Sequence, residues 1–142
     1  MQELREKLAY GLTTTVKLPY ESAVQRVRDA LAEEGFGVLT EIDVKATLRK
    51  KLDVEFRPYV ILGACNPPLA HRALTAERDI GLLLPCNVIV YAGDRSGESV
   101  IAAVDPEVSL SRVGNDALHP LAVEVKERLS RVIDAVGRDL DR

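Results

Sequence analysis

Tyr59-Val60-Ile61-Leu62-Gly63-Ala64-Cys65-Asn66-Pro67 carries no polar side chain between Val60 and Ala64. A run of this kind, bounded by Pro58 and by Asn66-Pro67-Pro68, reads as a strand over 59–64. Being apolar toward both faces, it belongs in the middle of a sheet. Asn66 and the two prolines are helix-start chemistry: a capping side chain, then residues without the N–H donors that a first turn leaves unpaired. A helix over 67–77 follows. One strand therefore runs straight into one helix, and Cys65 stands at the junction.

Outward from this stretch, the periodicities give the remaining elements. Toward the N-terminus, Tyr10, Leu12, Thr14 and Val16 alternate as a strand over 10–16. Tyr20, Val24, Val27 and Leu31 recur at helical spacing over 20–34, with Gly35 placed as the C-cap. A strand over 36–44 has Val38, Thr40, Ile42 and Val44 alternating against Leu39 and Glu41. A short helix over 45–52 would pack Ala46, Leu48 and Leu52 and keep its basic residues in water. Toward the C-terminus, the apolar connection 80–85 carries no decisive period. Strands over 87–91 and 99–104 flank a turn at 93–97, whose Gly-Asp-Arg-Ser-Gly composition suits a hairpin. Asp105-Pro106 ends the second of these strands. A helix over 120–136 shows Leu121, Val125, Leu129, Val132 and Val136 on one stripe, and Gly137 is placed as its end.

The order is thus β-α-β-(short α)-β-α-β-β-α. It predicts an α+β fold with a mostly antiparallel or mixed sheet covered by helices on one face. The 142 residues show no repeat, low-complexity tract or linker, so one domain is expected over 1–142, with its core at about 10–137. The other sheet face, partly apolar and β-branched, must meet water or a second copy, and a homodimer is expected.

Composition narrows the function classes. Hydrophobic residues make up 46% and charged residues 29%, which is ordinary globular usage. With 19 basic against 22 acidic side chains the net charge is −3. That balance argues against a nucleic-acid binder, whose affinity rests on phosphate neutralisation. No apolar run approaches the roughly 20 residues of a membrane-spanning helix. Two cysteines are too few for a secreted disulfide scaffold, and residues 1–7 lack a signal-like apolar stretch. A cytoplasmic protein with reduced thiols is expected.

The candidate chemistry gathers at two Cys-Asn pairs. Cys65 precedes a helix N-terminus, where amide donors and the helix dipole lower a thiol pKa. Cys86 follows Pro85 at a strand entry and precedes Asn87. If their strands are neighbours, the two thiols form a site for thiol chemistry, reversible disulfide formation or a soft metal. The competing reading makes both small buried residues beside proline, since free cysteine is among the most buried residue types. Gly63 permits close approach of backbone or ligand. His71 and His119 bring the count of zinc-type ligands to four, but no ligand spacing supports them, and both also read as surface or helix-start residues. Lys45, Arg49, Lys50, Lys51 and Arg57 form either an anion patch or a solvated face. Asp43, Asp53, Asp105 and Asp116 are scattered acids, three of them beside turns or helix starts where capping accounts for them.

The stretch 59–67, Ala70, and Leu83-Leu84-Pro85-Cys86-Asn87-Val88 together resemble the hallmark of the bacterial and archaeal domain-of-unknown-function family 302. Ile42-Asp43-Val44 and Val104-Asp105-Pro106 resemble its other recurring pieces, and the likeness runs from about 12 to 136. The resemblance implies a curved antiparallel sheet with helices on one side, likened to the TATA-binding-protein fold, and a tendency to dimerise. It implies no activity and no cofactor, and fold likeness is no evidence of DNA binding. It groups Cys65, Asn66, Pro67, Pro85 and Cys86 as the distinctive positions.

Two functional readings follow. In the first, a homodimer binds a small molecule or metal, or handles sulfur, at a pocket near Cys65 and Cys86. Its ligand-binding set is Gly63, Cys65, Asn66, Pro67, Pro85, Cys86 and Asn87, and its metal candidates are Cys65, Cys86 and His71. Cys65 would be the activated thiolate or ligand, Cys86 the resolving thiol or second ligand, and the amides after Asn66 an anion site. In the second, the protein is a non-catalytic interaction module with structural cysteines. Whether it is an enzyme stays open between them.

Overall fold

The computed structural model describes residues 7–138. In chain order the elements are β1 (Lys7–Leu8), β2 (Gly11–Val16), α1 (Tyr20–Glu33), β3 (Gly37–Asp43), α2 (Val44–Leu52), β4 (Tyr59–Cys65) and α3 (Pro67–Ala76). A 3-10 turn (Arg78–Leu83) leads to β5 (Cys86–Ala92) and β6 (Ser99–Val104), then a one-turn helix α4 (Pro106–Ser109). A second 3-10 turn (Asp116–Leu118) precedes α5 (His119–Arg138). Every expected strand and helix is present. The apolar connection without a clear period is the first 3-10 turn, and α4 and β1 are additions.

All strand pairs are antiparallel, in the order β1-β2-β6-β5-β4-β3. Five strands of six or seven residues make the body of the sheet, and two-residue β1 extends one edge. β4 is an interior strand, as its two apolar faces require. Val60, Leu62 and Ala64 are buried with Val88 and Val90 of β5, Ile101 and Ala103 of β6, and Val16 of β2. Against them lie Ala23, Val27, Ala30 and Leu31 of α1 and Leu129, Val132, Ile133 and Val136 of α5. These are the stripes read from helical spacing. Removing such side chains from water, at about 25 cal/mol per Å2 of apolar area, is what holds the two layers together. A smaller cluster, Leu69, Ala73, Ile80, Leu118 and Leu121, sits under α3 and the two 3-10 turns.

Three local expectations need correction. The alternation expected through β3 is broken by a register shift between Val38 and Thr40. The shift turns Glu41 toward Arg28 of α1, with which it pairs, and leaves Leu39 and Ile42 exposed. Helix α2 buries none of its residues, and Leu52 is exposed rather than packed. Gly137 does not end α5, which continues to Arg138. A Cβ there would come within 3.1 Å of Thr14 Oγ1, so this glycine serves the close approach of α5 to β2. Gly35, with φ 86°, does hold the left-handed position expected after α1.

Candidate functional site

The antiparallel register brings the two Cys-Asn pairs to one end of the sheet. Ala64 stands directly opposite Cys86, so Cys65, paired on its other side with Gly37, lies one step beyond Cys86's cross-strand partner. Both thiols are free and half-buried. Burial pushes the Cys86 thiol up to about 11, and the neighbouring Cys65 adds to the rise. Cys86 is therefore a neutral thiol across the physiological range.

Asn66 is buried, and its work is structural. Its Oδ1 accepts from Leu69 N–H at 3.3 Å, capping α3, and its Nδ2 donates to Glu34 O at 3.5 Å. Arg128 of α5 donates from Nη1 to the same carbonyl at 2.9 Å and is held by Glu124 at 3.2 Å. The end of α1, the start of α3 and the middle of α5 thus meet at Glu34. This arrangement corrects the anion-site role given to the amides after Asn66. Pro67 and Pro68 have no N–H, Leu69 N–H is capped, and Ala70 N–H bonds Asn66 O at 2.8 Å. No free donor remains in that first turn.

A cavity of about 300 Å3 opens where the two apolar clusters fail to close over the sheet's end. Phe36, Ala64 and Cys86 form its sheet side, Leu69, Ala70, Ala73 and Leu74 of α3 another wall, and Leu121 and Val125 of α5 a third. Gly81, Leu84 and Pro85 border it from the connection before β5, and Leu110 and Pro106 from the region of α4. Of the expected ligand-binding residues, Cys65, Asn66, Pro85 and Cys86 line it. Gly63, Pro67 and Asn87 do not. Asn87 and Pro67 are exposed, and Gly63 acts behind the wall. A Cβ on Gly63 would overlap Thr40 Oγ1 and come within 2.7 Å of Pro85 Cγ, so its hydrogen allows Thr40 and Pro85 to meet over β4.

His71 is exposed on α3 and outside the cavity, while His119 borders a separate groove with Glu107 and Asp116. Among the described residues, no three His, Cys, Asp or Glu side chains gather closely enough to hold a metal ion. The four-ligand zinc combination is thereby not assembled, and only the thiol pair stays together. The scattered acids are largely caps: Asp43 accepts from Ala46 N–H at 2.9 Å and Asp105 from Glu107 N–H at 3.0 Å. Within the basic run the two arginines are answered by acids, Arg49 by Asp53 at 3.1 Å and by Glu55, and Arg57 by Asp94 at 3.1 Å, while Lys45 donates to Phe56 O at 3.2 Å.

The sequence reading missed most of the cavity wall. Ala70 and Ala73, small residues on the inward side of α3, and the unassigned apolar run before Pro85 were the available signals. Arg128 gave none, being 94 residues from its carbonyl partner.

Among the described residues no helix is long and apolar enough to cross a membrane. None of the curated proteins is similar to this chain. The crystal structure of an uncharacterized conserved DUF302 protein from Bacillus stearothermophilus matches it with a TM-score of 0.82 at 30% identity. The match covers 91% of this chain and 99% of that one. The model of the family described as domain of unknown function DUF302 matches residues 12–136, the span that holds both cysteine motifs and every wall of the cavity. The chain belongs to the DUF302 family.

Proposed function

We propose that this protein binds a small, uncharged, apolar molecule in the cavity at the end of β4 and β5, with the Cys65 and Cys86 thiols at its border. The cavity carries the reading. At about 300 Å3 it is twice the roughly 150 Å3 of an apolar engineered cavity that stays dry and takes up benzene. Its walls are almost wholly aliphatic, so a charged group entering it would lose its hydration without a partner. The neutral state of Cys86 favours this over a thiolate mechanism that begins at Cys86.

The test is titration of the protein with benzene and with short aliphatic alcohols, followed by thermal unfolding and by protection of Cys86 from alkylation. Binding to the folded state alone raises stability by about 2.7 kcal/mol at a hundredfold excess over Kd. Gly81→Leu, which points a side chain into the space, should abolish the response while the protein remains folded. An unchanged melting temperature and unprotected Cys86 at saturating probe would overturn the proposal.

A second reading concerns assembly, and the helix-free sheet face supports it. Ile61 and Ile89 pair directly there, next to Ala102, on the side turned away from the core that α1 and α5 cover. On this reading one domain, with its core at about 10–137, forms a cytosolic homodimer through that face. The all-antiparallel sheet with helices on one side also supports assignment to the TATA-binding-protein-like folds, without any nucleic-acid role.

A further inference from the structure

At the end of the open sheet face farthest from the cysteines, four side chains form a row. Tyr59 and Tyr91, opposite each other on β4 and β5, stack with centroids 5.2 Å apart and planes 9° from parallel. Phe56 tilts against Tyr59 at 6.2 Å and 49°. The guanidinium of Arg57 lies over the Tyr91 ring, 5.8 Å from its centroid. Its Nη1 donates to Ala92 O at 3.0 Å and to Asp94 Oδ1 at 3.1 Å. Beside this row is a groove of about 430 Å3, floored by Thr15 and Val100 and closed by the β5–β6 turn.

The turn contributes two carboxylates. Asp94 meets Arg57. Glu98 folds across Gly93, where a Cβ would come within 2.8 Å of Glu98 Oε1, and among the described residues it pairs with no cation. The groove thus holds aromatic faces, two acids and one guanidinium that is itself exposed. Cations are drawn to such ring faces by their quadrupole, and more strongly when a carboxylate stands alongside. The protein's own Arg57 displays the chemistry the place accepts.

We propose that this groove is a binding site for a small guanidinium compound, which stacks on the Tyr59–Tyr91 pair and bonds Glu98, with Arg57 as its tethered competitor. The site is separate from the apolar cavity and rests on none of the argument made for it.

Ethylguanidinium is the probe, and ethylurea, equally flat but uncharged, is its control. Tyrosine fluorescence and the tyrosine NMR signals of the intact protein report binding. Arg57→Ala should bind ethylguanidinium about tenfold more tightly than the wild type, since it frees the ring face and Asp94. In that background Glu98→Gln should weaken binding by about threefold and Tyr91→Leu by about tenfold. Glu98 is half-buried at the turn and outside the core, so its substitution keeps the test valid should Tyr91→Leu fail to fold. Ethylurea should not bind. The proposal is overturned if Arg57→Ala shows no saturable change, if ethylurea binds as well, or if Glu98→Gln has no effect.

Discussion

Gly63 and Gly81 border the same region and answer to different physics. A methyl on Gly63 has nowhere to go between Thr40 and Pro85, whereas one on Gly81 would meet only Leu74, at 4.0 Å. Gly63→Ala should therefore cost about 1–3 kcal/mol, the usual range for forced overpacking. Gly81→Ala should be neutral or stabilising by up to about 1 kcal/mol, through the unfolded chain. Thermal or urea unfolding of the two variants, side by side, checks the contrast. Cys86 makes a pH-dependent prediction. Its folded pKa of about 11 lies above the ordinary value of 9.0. The folded state thus favours the protonated thiol, a contribution fully present below about pH 9 and lost as pH rises toward 11. Over that window the wild type should lose up to about 3 kcal/mol relative to Cys86→Ala. Parallel unfolding curves for the two proteins from pH 8 to 11 would contradict the assignment.

At the level of elements, the Asn66 cap joins three helices. Asn66→Ala removes the acceptor for Leu69 N–H and one of two donors to Glu34 O. A loss of about 1–2 kcal/mol is expected, measured by urea denaturation. Asn66→Asp should recover part of it, since it restores the acceptor but not the donor. The cap was legible because Asn-Pro-Pro is a local signal, and so were the helix stripes and the hairpin turn. What escaped was set by distant partners. The β3 register shift brings Glu41 to the helix side beside Arg28, and period-two counting along β3 alone has no access to it. Helix α2 carries an apolar set, yet it touches β3 and β4 without burying any of its residues. The cavity is a gap between two clusters, and a gap has no residue pattern of its own. Its neighbours Cys65, Pro85 and Cys86 were found, while the aliphatic wall on α3 and α5 looked like ordinary core.

For the whole molecule, the decisive question is what the helix-free sheet face does in solution. If two copies meet there, sedimentation velocity at micromolar concentration should give a dimer. Ile89→Asp, which places a charge at the centre of the face, should give a folded monomer. A wild-type monomer at high concentration would remove the homodimer reading and leave the cavity and the tyrosine groove as single-chain sites. The ladder between β2 and β6 bears on synthesis as well. Thr13 Oγ1 bonds the carbonyl of Ile101, 88 residues later, and β2, which meets two-residue β1 on one side, finds its full-length partner in β6. A nascent chain cannot complete the pairing of β2 until β6, which ends at Val104, has left the ribosome. Until then α1 has only the β3-β4-β5 part of the sheet to set its apolar stripe against. Chains arrested before β6 should accordingly be the form that chaperones and proteases engage, and those released after α5 should escape them.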